Sequence, residues 1–342
     1  FAATIIKPRE GDSKLFIQDL KKNKTFEHNR VSNYSLSTDG KYTVALLKAP
    51  FADTRQAKID KKKPEEMPKD SLLIVDNETF TYHVLPNVKS YKTSTQLGDY
   101  VAYKTTLQKN TTSLPKETTN VTPNDTVANN KKKEDKDKDK NNDKELLVLH
   151  NLKTQQQDTL HNATDFVFNK YGNAFATIIA PDKKDSTDTP GVVFIDLKNY
   201  SKKRISNEKA EYKSLRFDES GEQLVYLATT DTSKVEQKVF DVRYFKNGAD
   251  SAVVLAKTST VKLPDNWIFN ENCSPYFSEN GNRIILGSAP KQAAKDTTIV
   301  DFEVASLDIW NWRDPYIQPQ QLNRLSNELK RTYTAVIKLD KG

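Results

Sequence analysis

The sequence predicts an all-β protein of the β-propeller class, made of four-stranded blades and incomplete at both ends. Three observations carry this prediction: a repeated hairpin with a glycine in its turn, a second repeated hairpin that follows it, and return strands that are apolar throughout. About six blades are represented, and we expect seven or eight in the full protein.

The first hairpin is clearest at 33–48, NYSLSTDGKYTVALLK, where Asp39 and Gly40 close a tight turn. A short turn needs a residue at positive φ, which glycine adopts without a Cβ clash. An Asp or Asn lies ahead of the glycine in each full copy, and such side chains hydrogen-bond to their own backbone in turns. Further copies occur at 165–180, 214–229 and 275–289, with a shorter one at 95–105.

The return strands, such as YTVALL and QLVYLA, carry apolar residues on both faces. This pattern is typical of a strand that is covered on both sides. A two-layer sandwich would give a cleaner alternation of polar and apolar residues. We therefore favour stacked blades over a sandwich.

The second hairpin supplies the other two strands of each blade. It consists of a strand ending near Asp or Asn, a polar turn, and a strand ending in Leu or Ile. Its copies lie at 14–28, 71–85, 145–160, 191–205 and 252–263. The two hairpins together make a four-stranded meander, which is the blade of a propeller.

Counting these units gives the expected blade boundaries. They are 1–30 (partial), 31–86, 91–160, 162–206, 212–263, 272–325 and 332–342 (partial). Residues 1–8 resemble a return strand without its approach strand, and 333–342 resemble the third strand of a further blade. We therefore expect the chain to be a fragment of a longer protein.

Three insertions enlarge individual blades, at 49–69, 108–144 and 290–304. The second contains KKKEDKDKDKNNDK and has too few apolar residues to offset the entropy of ordering. We expect it to be disordered.

Composition excludes several classes of function. The net charge is +7, but lysines alternate with acids and no basic stripe with interleaved aromatics occurs, so nucleic-acid binding is not expected. No apolar run is long enough to span a bilayer. Cys273 is the single cysteine and the four histidines are scattered, so we expect no disulfide, no metal site and no cofactor.

Motifs of catalysis are also missing from the sequence. There is no Gly-x-Ser-x-Gly elbow, no phosphate-binding glycine loop and no dinucleotide fingerprint. We expect the chain itself to be non-catalytic and predict no catalytic residue in it.

Five residues are candidates for contact with a substrate. Trp310 and Trp312, in LDIWNWRDPY, are predicted to share one face of a strand, where packing in the blade core is the favoured interpretation and substrate contact the other. Arg313 follows them, and an ion pair or a cation–π contact explains it as well as a binding role does. Glu65 and Glu66 are adjacent acids in a lysine-rich insertion, where a solvated loop is the favoured interpretation.

The repeats FDESGEQLVYLAT (217–229) and FSENGNRIILGSA (277–289) resemble those in propellers of the prolyl oligopeptidase (S9-type) family of serine peptidases. The segments at 53–72 and 307–322 are similar to segments of secreted members from Bacteroidetes-type bacteria. The resemblance covers nearly the whole chain.

The resemblance implies that the propeller precedes a C-terminal α/β-hydrolase domain, which holds the Ser-Asp-His triad, and admits only short or unfolded peptides to it. Some members bind the free amine of a substrate with paired propeller glutamates, which would be Glu65 and Glu66 here. The implied partners are the hydrolase domain and short peptides, and the implied location is the periplasm or the exterior. The alternative is a stand-alone propeller that acts as a protein-binding or scaffold module in the cell envelope.

Overall fold

The computed structural model describes residues 1–106, 145–182, 184–185, 187–233, 237–292 and 309–339. The insertion expected to be disordered, at 108–144, lies outside the described residues. The same holds for 293–304 of the insertion at 290–304.

The described strands form six antiparallel sheets that follow one another along the chain. Sheet 1 consists of β1 (Ala2–Ile6), β2 (Lys14–Asp19) and β3 (Lys24–Asn29). Sheet 2 consists of β4 (Val31–Leu36), β5 (Tyr42–Leu47), β6 (Ser71–Asp76) and β7 (Tyr82–Leu85). Sheet 3 consists of β8 (Val88–Thr93), β9 (Tyr100–Thr106), β10 (Glu145–Asn151) and β11 (Gln157–His161).

The second half of the chain continues the series. Sheet 4 consists of β12 (Ala163–Phe168), β13 (Ala174–Ile179), β14 (Gly191–Asp196) and β15 (Ser201–Ser206). Sheet 5 consists of β16 (Glu211–Phe217), β17 (Gln223–Thr229), β18 (Asp241–Lys246) and β19 (Val253–Ala256). Sheet 6 consists of β20 (Trp267–Phe269), β21 (Tyr276–Phe277), β22 (Arg283–Pro290) and β23 (Tyr333–Lys338).

The described parts of the connections contain two α-helices, α1 (Phe51–Ile59) in sheet 2 and α2 (Gln318–Leu329) in sheet 6. A short 3₁₀ helix, Pro64–Glu66, follows α1. None of the helices in the described ranges is long and apolar enough to cross a membrane.

The turn glycines adopt the conformation that the sequence predicts. Gly40, Gly172, Gly221 and Gly281 have φ between +69° and +76°. Each donates its N–H to the carbonyl three residues earlier, as Gly40 does to Ser37 at 2.9 Å. Glycine is favoured at these positions because an L-residue has a steric cost at positive φ.

Adjacent sheets stack face to face, each through its own apolar core. Val44 of β5 packs into the core shared with sheet 3, whereas its neighbour Ala45 packs into the core shared with sheet 1. Similarly, Tyr226 of β17 packs toward sheet 4 and Val225 toward sheet 6. The return strands do not alternate polar and apolar residues because both of their faces are covered by neighbouring sheets. The alternative of a two-layer sandwich is therefore wrong.

These features confirm the all-β propeller class. Sheets 2 to 5 are four-stranded meanders in which each strand pairs with its neighbours in sequence. Strand pairing does not join sheet 1 to sheet 6 among the described residues, so the sheets are not closed into a ring.

Sheet 6 departs from the prediction at the end of the chain. Residues 333–342 were expected to be the third strand of a further blade, but β23 pairs with β22, with Ile285 opposite Val336. Its Ala335 and Ile337 pack into the core shared with sheet 5. The segment is therefore the third strand of sheet 6, because the long connection that contains α2 separates two strands that pair in space.

Candidate functional site

Where the structure describes their ends, the long connections all leave the sheets at one end, here called the loop face. In sheet 2, Leu47 at the end of β5 pairs with Ser71 and with Val31, so the connection 48–70 and the start of the sheet share that end. The same topology repeats in the other meanders. The second-to-third connections leave the sheets at the loop face after Leu47, Thr106, Ile179, Thr229 and Pro290.

Among the described residues, the opposite end of the sheets carries short connections of at most six residues, such as 37–41 and 218–222. Long connections on a rigid scaffold are where binding residues concentrate. The loop face is therefore the candidate functional surface, and all five candidate residues from the sequence lie on it.

Glu65 and Glu66 occupy the 3₁₀ helix of the connection 48–70. Glu66 uses its carboxylate locally, since its Oε2 accepts the N–H of Lys63 at 3.3 Å. Glu65 lines a depression of about 570 Å³ between this connection and the start of sheet 3. The two carboxylates thus have different surroundings, and the structure does not gather them around a common cavity.

Trp310 and Trp312 lie outside any strand, on either side of a turn at Asn311. The N–H of Asn311 donates to the Asp314 carboxylate at 2.7 Å, and the N–H of Arg313 donates to the Asn311 side chain at 3.0 Å. Trp310 is 63% exposed and Trp312 80%. The prediction that they share one face of a strand and pack in a blade core is therefore wrong, because the strand that completes the sheet is β23.

Arg313 lies over the Trp312 ring, with 4.8 Å between the guanidinium carbon and the ring centre. This contact is the cation–π interaction that the sequence allows for. Helix α2 adds further exposed apolar side chains to the same connection: Leu322, Leu325 and Leu329 are each at least 50% exposed.

The first strands of neighbouring sheets are joined by polar side chains. The Tyr91 hydroxyl donates to Asn33 at 3.0 Å, and Thr93 donates to Ser35 at 3.3 Å. Lys92 pairs with Asp165 at 2.9 Å. These first strands therefore present hydrogen-bonding groups rather than an apolar surface.

A cluster of four charges links sheets 5 and 6 at the loop face. Lys213 of β16 pairs with Glu211 at 2.9 Å and with Glu271, and Lys238 pairs with Glu211 at 2.6 Å. The hydrogen bond from Lys238 lowers the pKa of Glu211, and the hydrogen bond from Lys213 lowers it further. Burial of Lys213 acts to lower its pKa. The ion pairs with Glu271 and Glu211 together act more strongly in the opposite direction, so the pKa of Lys213 is raised.

Beside this cluster lies a cavity of about 420 Å³, here called the Asn270 cavity. Three connections line it: Gln237 and Lys238, the segment Asn270 to Asn272, and a wall formed by Gln292 and the end of α2. Two hydrogen bonds hold the wall in place. The N–H of Gln292 donates to Gln237 at 2.8 Å, and the Gln292 side chain donates to the Leu329 carbonyl at 2.5 Å.

Asn270 forms the buried part of this cavity. It is 1% exposed, and its Oδ1 accepts the N–H of Asn272 at 3.1 Å. Its Nδ2 has no hydrogen-bond partner. Buried polar groups are nearly always paired, so an unpaired donor that lines a cavity calls for an explanation.

The sequence analysis did not predict this cavity. Its residues come from three separate connections, so no spacing rule reveals them. The one local signal is the polar triplet Asn270, Glu271 and Asn272 directly after the apolar strand β20.

Comparisons with known proteins found similarity only among solved structures. No protein-family model matches the chain, and no curated protein sequence matches it. Among solved structures, the β-propeller domain of the Trilobed protease from Pyrococcus furiosus is similar at 8% identity, over 82% of this chain and 70% of that one, with a TM-score of 0.39. That domain is described as having an open velcro topology.

Two further similar structures are peptidases. A structure from a study of two prolyl endopeptidases has 11% identity over 76% of this chain and 32% of that one, with a TM-score of 0.43. The acylaminoacyl peptidase of Pyrococcus horikoshii has 10% identity over 81% and 38%, with a TM-score of 0.39. The chain thus spans about a third of each peptidase, and likenesses this distant carry no information on activity.

Proposed function

We propose that the chain is the non-catalytic, substrate-gating propeller of a prolyl oligopeptidase-like serine peptidase, whose α/β-hydrolase domain lies C-terminal to it. One observation carries the proposal: the described ends of every long connection lie at the loop face, and the described part of the connection 291–332 holds Trp310, Trp312 and α2 with their apolar side chains exposed. A surface of this kind is typical of an interface with another domain. The repeat segments that resemble the family agree with this interpretation.

Gating by such a propeller is steric. Sheets packed on both faces form a rigid body, and a rigid body set over a triad excludes folded proteins while short peptides pass. On this proposal the chain contributes access and binding, and the bond-breaking chemistry belongs to the hydrolase domain. The substrates would be short peptides.

The reading frame and the activity of its product test the proposal together. We expect the frame to continue into a segment with Gly-x-Ser-x-Gly, and the full product to hydrolyse short peptides in a reaction that a serine-directed reagent abolishes. Residues 1–342 alone should hydrolyse none. A frame without the elbow would contradict the proposal, as would peptide hydrolysis by the chain alone.

The second candidate is a stand-alone protein-binding or scaffold module of the cell envelope. The exposed apolar side chains of α2 favour it equally, because they suit a separate protein as well as a fused domain. A reading frame that ends without a hydrolase domain, together with a purified partner that loses affinity when Leu322 and Leu325 are changed to Ser, would establish this candidate instead.

We also propose a periplasmic or extracellular location, on the basis of the resemblance to secreted members of the family. Fractionation of cells that express the full reading frame tests it. Recovery of the protein only with the cytoplasmic fraction would contradict the proposal.

A further inference from the structure

We propose that the Asn270 cavity is a carboxylate-binding site that holds the C-terminal end of a short peptide. The carboxylate part of this proposal stands on the chain alone, whereas the peptide part rests on the proposed function. Three features of the cavity lead to it: an unpaired buried donor, a surplus of positive charge, and a size suited to a small ligand.

The donor is the Nδ2 group of Asn270. The N–H of Asn272 donates to the Asn270 side chain, and this hydrogen bond identifies the accepting atom as the amide oxygen Oδ1. The other atom of the amide, Nδ2, is therefore the one without a partner. A donor buried without a partner loses its hydration and gains nothing in return. A ligand with an acceptor atom in the cavity would restore the missing hydrogen bond.

The charges around the cavity favour an anion. Lys213, Lys238 and Lys330 contribute three positive charges, against two negative charges from Glu211 and Glu271. Both carboxylates already form ion pairs with lysine ammonium groups. Within the described part of the chain Lys330 has no ion pair, so it is available to a bound anion.

A carboxylate fits this arrangement better than a neutral carbonyl. It has two oxygens, one for the Asn270 amide and one for a lysine ammonium, and hydrogen bonds to a charged acceptor are about twice as strong as neutral ones. The 420 Å³ of the cavity lies at the small end of ligand sites. Leu329, half-exposed at its wall, offers an apolar contact for a small side chain.

The cavity also lies where a peptide would meet the propeller. It opens at the loop face, beside the first strands of sheets 5 and 6. A peptide held there by its C-terminus would extend from the rigid sheets toward the surface that the proposed function assigns to the hydrolase domain.

Binding to the chain itself tests the proposal. The probe is N-acetyl-trialanine, compared with the same peptide carrying a C-terminal amide, with affinity measured by calorimetry and side-chain amide shifts by ¹⁵N NMR. We expect the acid to bind and to shift the Asn270 Nδ2 signal, and we expect the amide to bind at least about tenfold more weakly, as for the loss of a charge-assisted hydrogen bond.

Two variants locate the site. Asn270→Asp keeps the oxygen that accepts from Asn272 but replaces the donor with a second oxygen, and Lys330→Gln removes an exposed charge; each should weaken binding of the acid about tenfold. Lys198→Gln, in a hairpin at the opposite end of the sheets, is the matched control and should leave affinity unchanged.

Equal affinity for the acid and the amide would overturn the proposal, as would binding that Asn270→Asp and Lys330→Gln leave intact. Absence of binding by the acid would overturn it too. None of these results depends on a hydrolase domain, so they are distinguishable from a failure of the proposed function.

Discussion

At the scale of single residues, the hairpin glycines show how a turn is fixed by both conformation and space. Gly221 has φ +76°, and a Cβ built on it would lie 2.0 Å from Nδ2 of Asn169 in the neighbouring sheet. Asn169 cannot readily move, because its Oδ1 accepts the N–H groups of Asn173 and Ala174 at 3.0 Å. Gly221 therefore allows the backbone conformation of its own turn and also the close contact of that turn with the turn that contains Asn169.

We expect Gly221→Ala to lower the free energy of unfolding by about 3 kcal/mol, because it combines a left-handed backbone with a clash. Gly248→Ala is the control: Gly248 has φ +92° but nothing lies within 4 Å of its added Cβ. That variant should lose only about 1 kcal/mol. Urea unfolding measures both, and equal losses would show that the contact with Asn169 contributes nothing.

Glu211 makes the charge cluster sensitive to acid. Its pKa is lowered by the hydrogen bond from Lys238. A carboxyl whose pKa is lower in the folded than in the unfolded chain stabilises the fold above the unfolded value, and this contribution is lost as the pH falls through the folded value. The loss therefore begins below the ordinary value of 4.5.

Carboxyl ¹³C NMR titration checks this directly. We expect Glu211 to titrate below 4.5 in the native chain and to move upward in Lys238→Gln, because the largest cause of the shift is removed. Glu145, whose pKa is lowered by Lys89, is the internal control and should not move. An unchanged Glu211 in the variant would contradict the assignment of the ion pair.

At the scale of elements, four of the six described sheets begin directly after a residue in the left-handed region. Asn87, Asn162 and Asn266 occupy this position before β8, β12 and β20, with φ between +56° and +62°. Their counterpart before β4 is Arg30, at φ +70°, whose carbonyl accepts the N–H of Lys48 at 2.8 Å. Asparagine tolerates this conformation better than arginine does.

Arg30→Asn should therefore stabilise the protein, by about 0.5 to 1 kcal/mol. The reverse change, Asn162→Arg, should destabilise it by a similar amount, since it imposes the same conformation on a less suitable residue. Thermal unfolding of both variants measures the effect. A destabilised Arg30→Asn would mean that the Arg30 side chain contributes more than its backbone costs.

The elements were predictable from sequence where the determinants are local. The strands of sheets 2, 4 and 5 follow from turn chemistry, such as the Asp76 carboxylate that accepts the N–H groups of Glu78 and Thr79. Sheet 6 was predicted incorrectly because nothing local distinguishes Trp310 from Val336: both belong to short apolar stretches, and only pairing with β22 selects the second.

At the scale of the whole molecule, stability resides in a row of separate cores. Each core joins two adjacent sheets, as Phe194 of sheet 4 meets Phe245 of sheet 5 with ring centres 5.1 Å apart. In such an arrangement each unit contacts only its neighbours. Sheets 1 and 6 pack on one side only among the described residues, so they have fewer stabilising contacts than sheets 2 to 5.

Protection of backbone amides against hydrogen exchange should be lower in sheets 1 and 6 than in sheets 2 to 5. We expect the amides of β13 and β17 to exchange at least about tenfold more slowly than those of β1 and β23, because local opening costs least where one face is uncovered. Exchange detected by mass spectrometry measures this. Equal protection of β1 and β17 would contradict a stack with two uncovered ends.

The candidate surface was only partly predictable. The sequence singled out Glu65, Glu66, Trp310, Trp312 and Arg313, and the topology places all of them on the loop face. Beyond the polar triplet at 270–272, nothing in the sequence indicates the Asn270 cavity. The reason is that the cavity depends on three connections from two sheets, which are distant in sequence and meet only because the sheets stack.

Local chemistry alone determined the hairpins of this protein, because positive-φ glycines and side chains that hydrogen-bond to their own backbone act within a few residues. It also determined that the return strands need cover on both sides. The tertiary structure alone decided that β23 completes sheet 6, that the tryptophans are exposed, and that Asn270 is buried without a partner. Each of these depends on which surfaces meet in space, and contacts between distant segments leave no periodic trace in a single sequence.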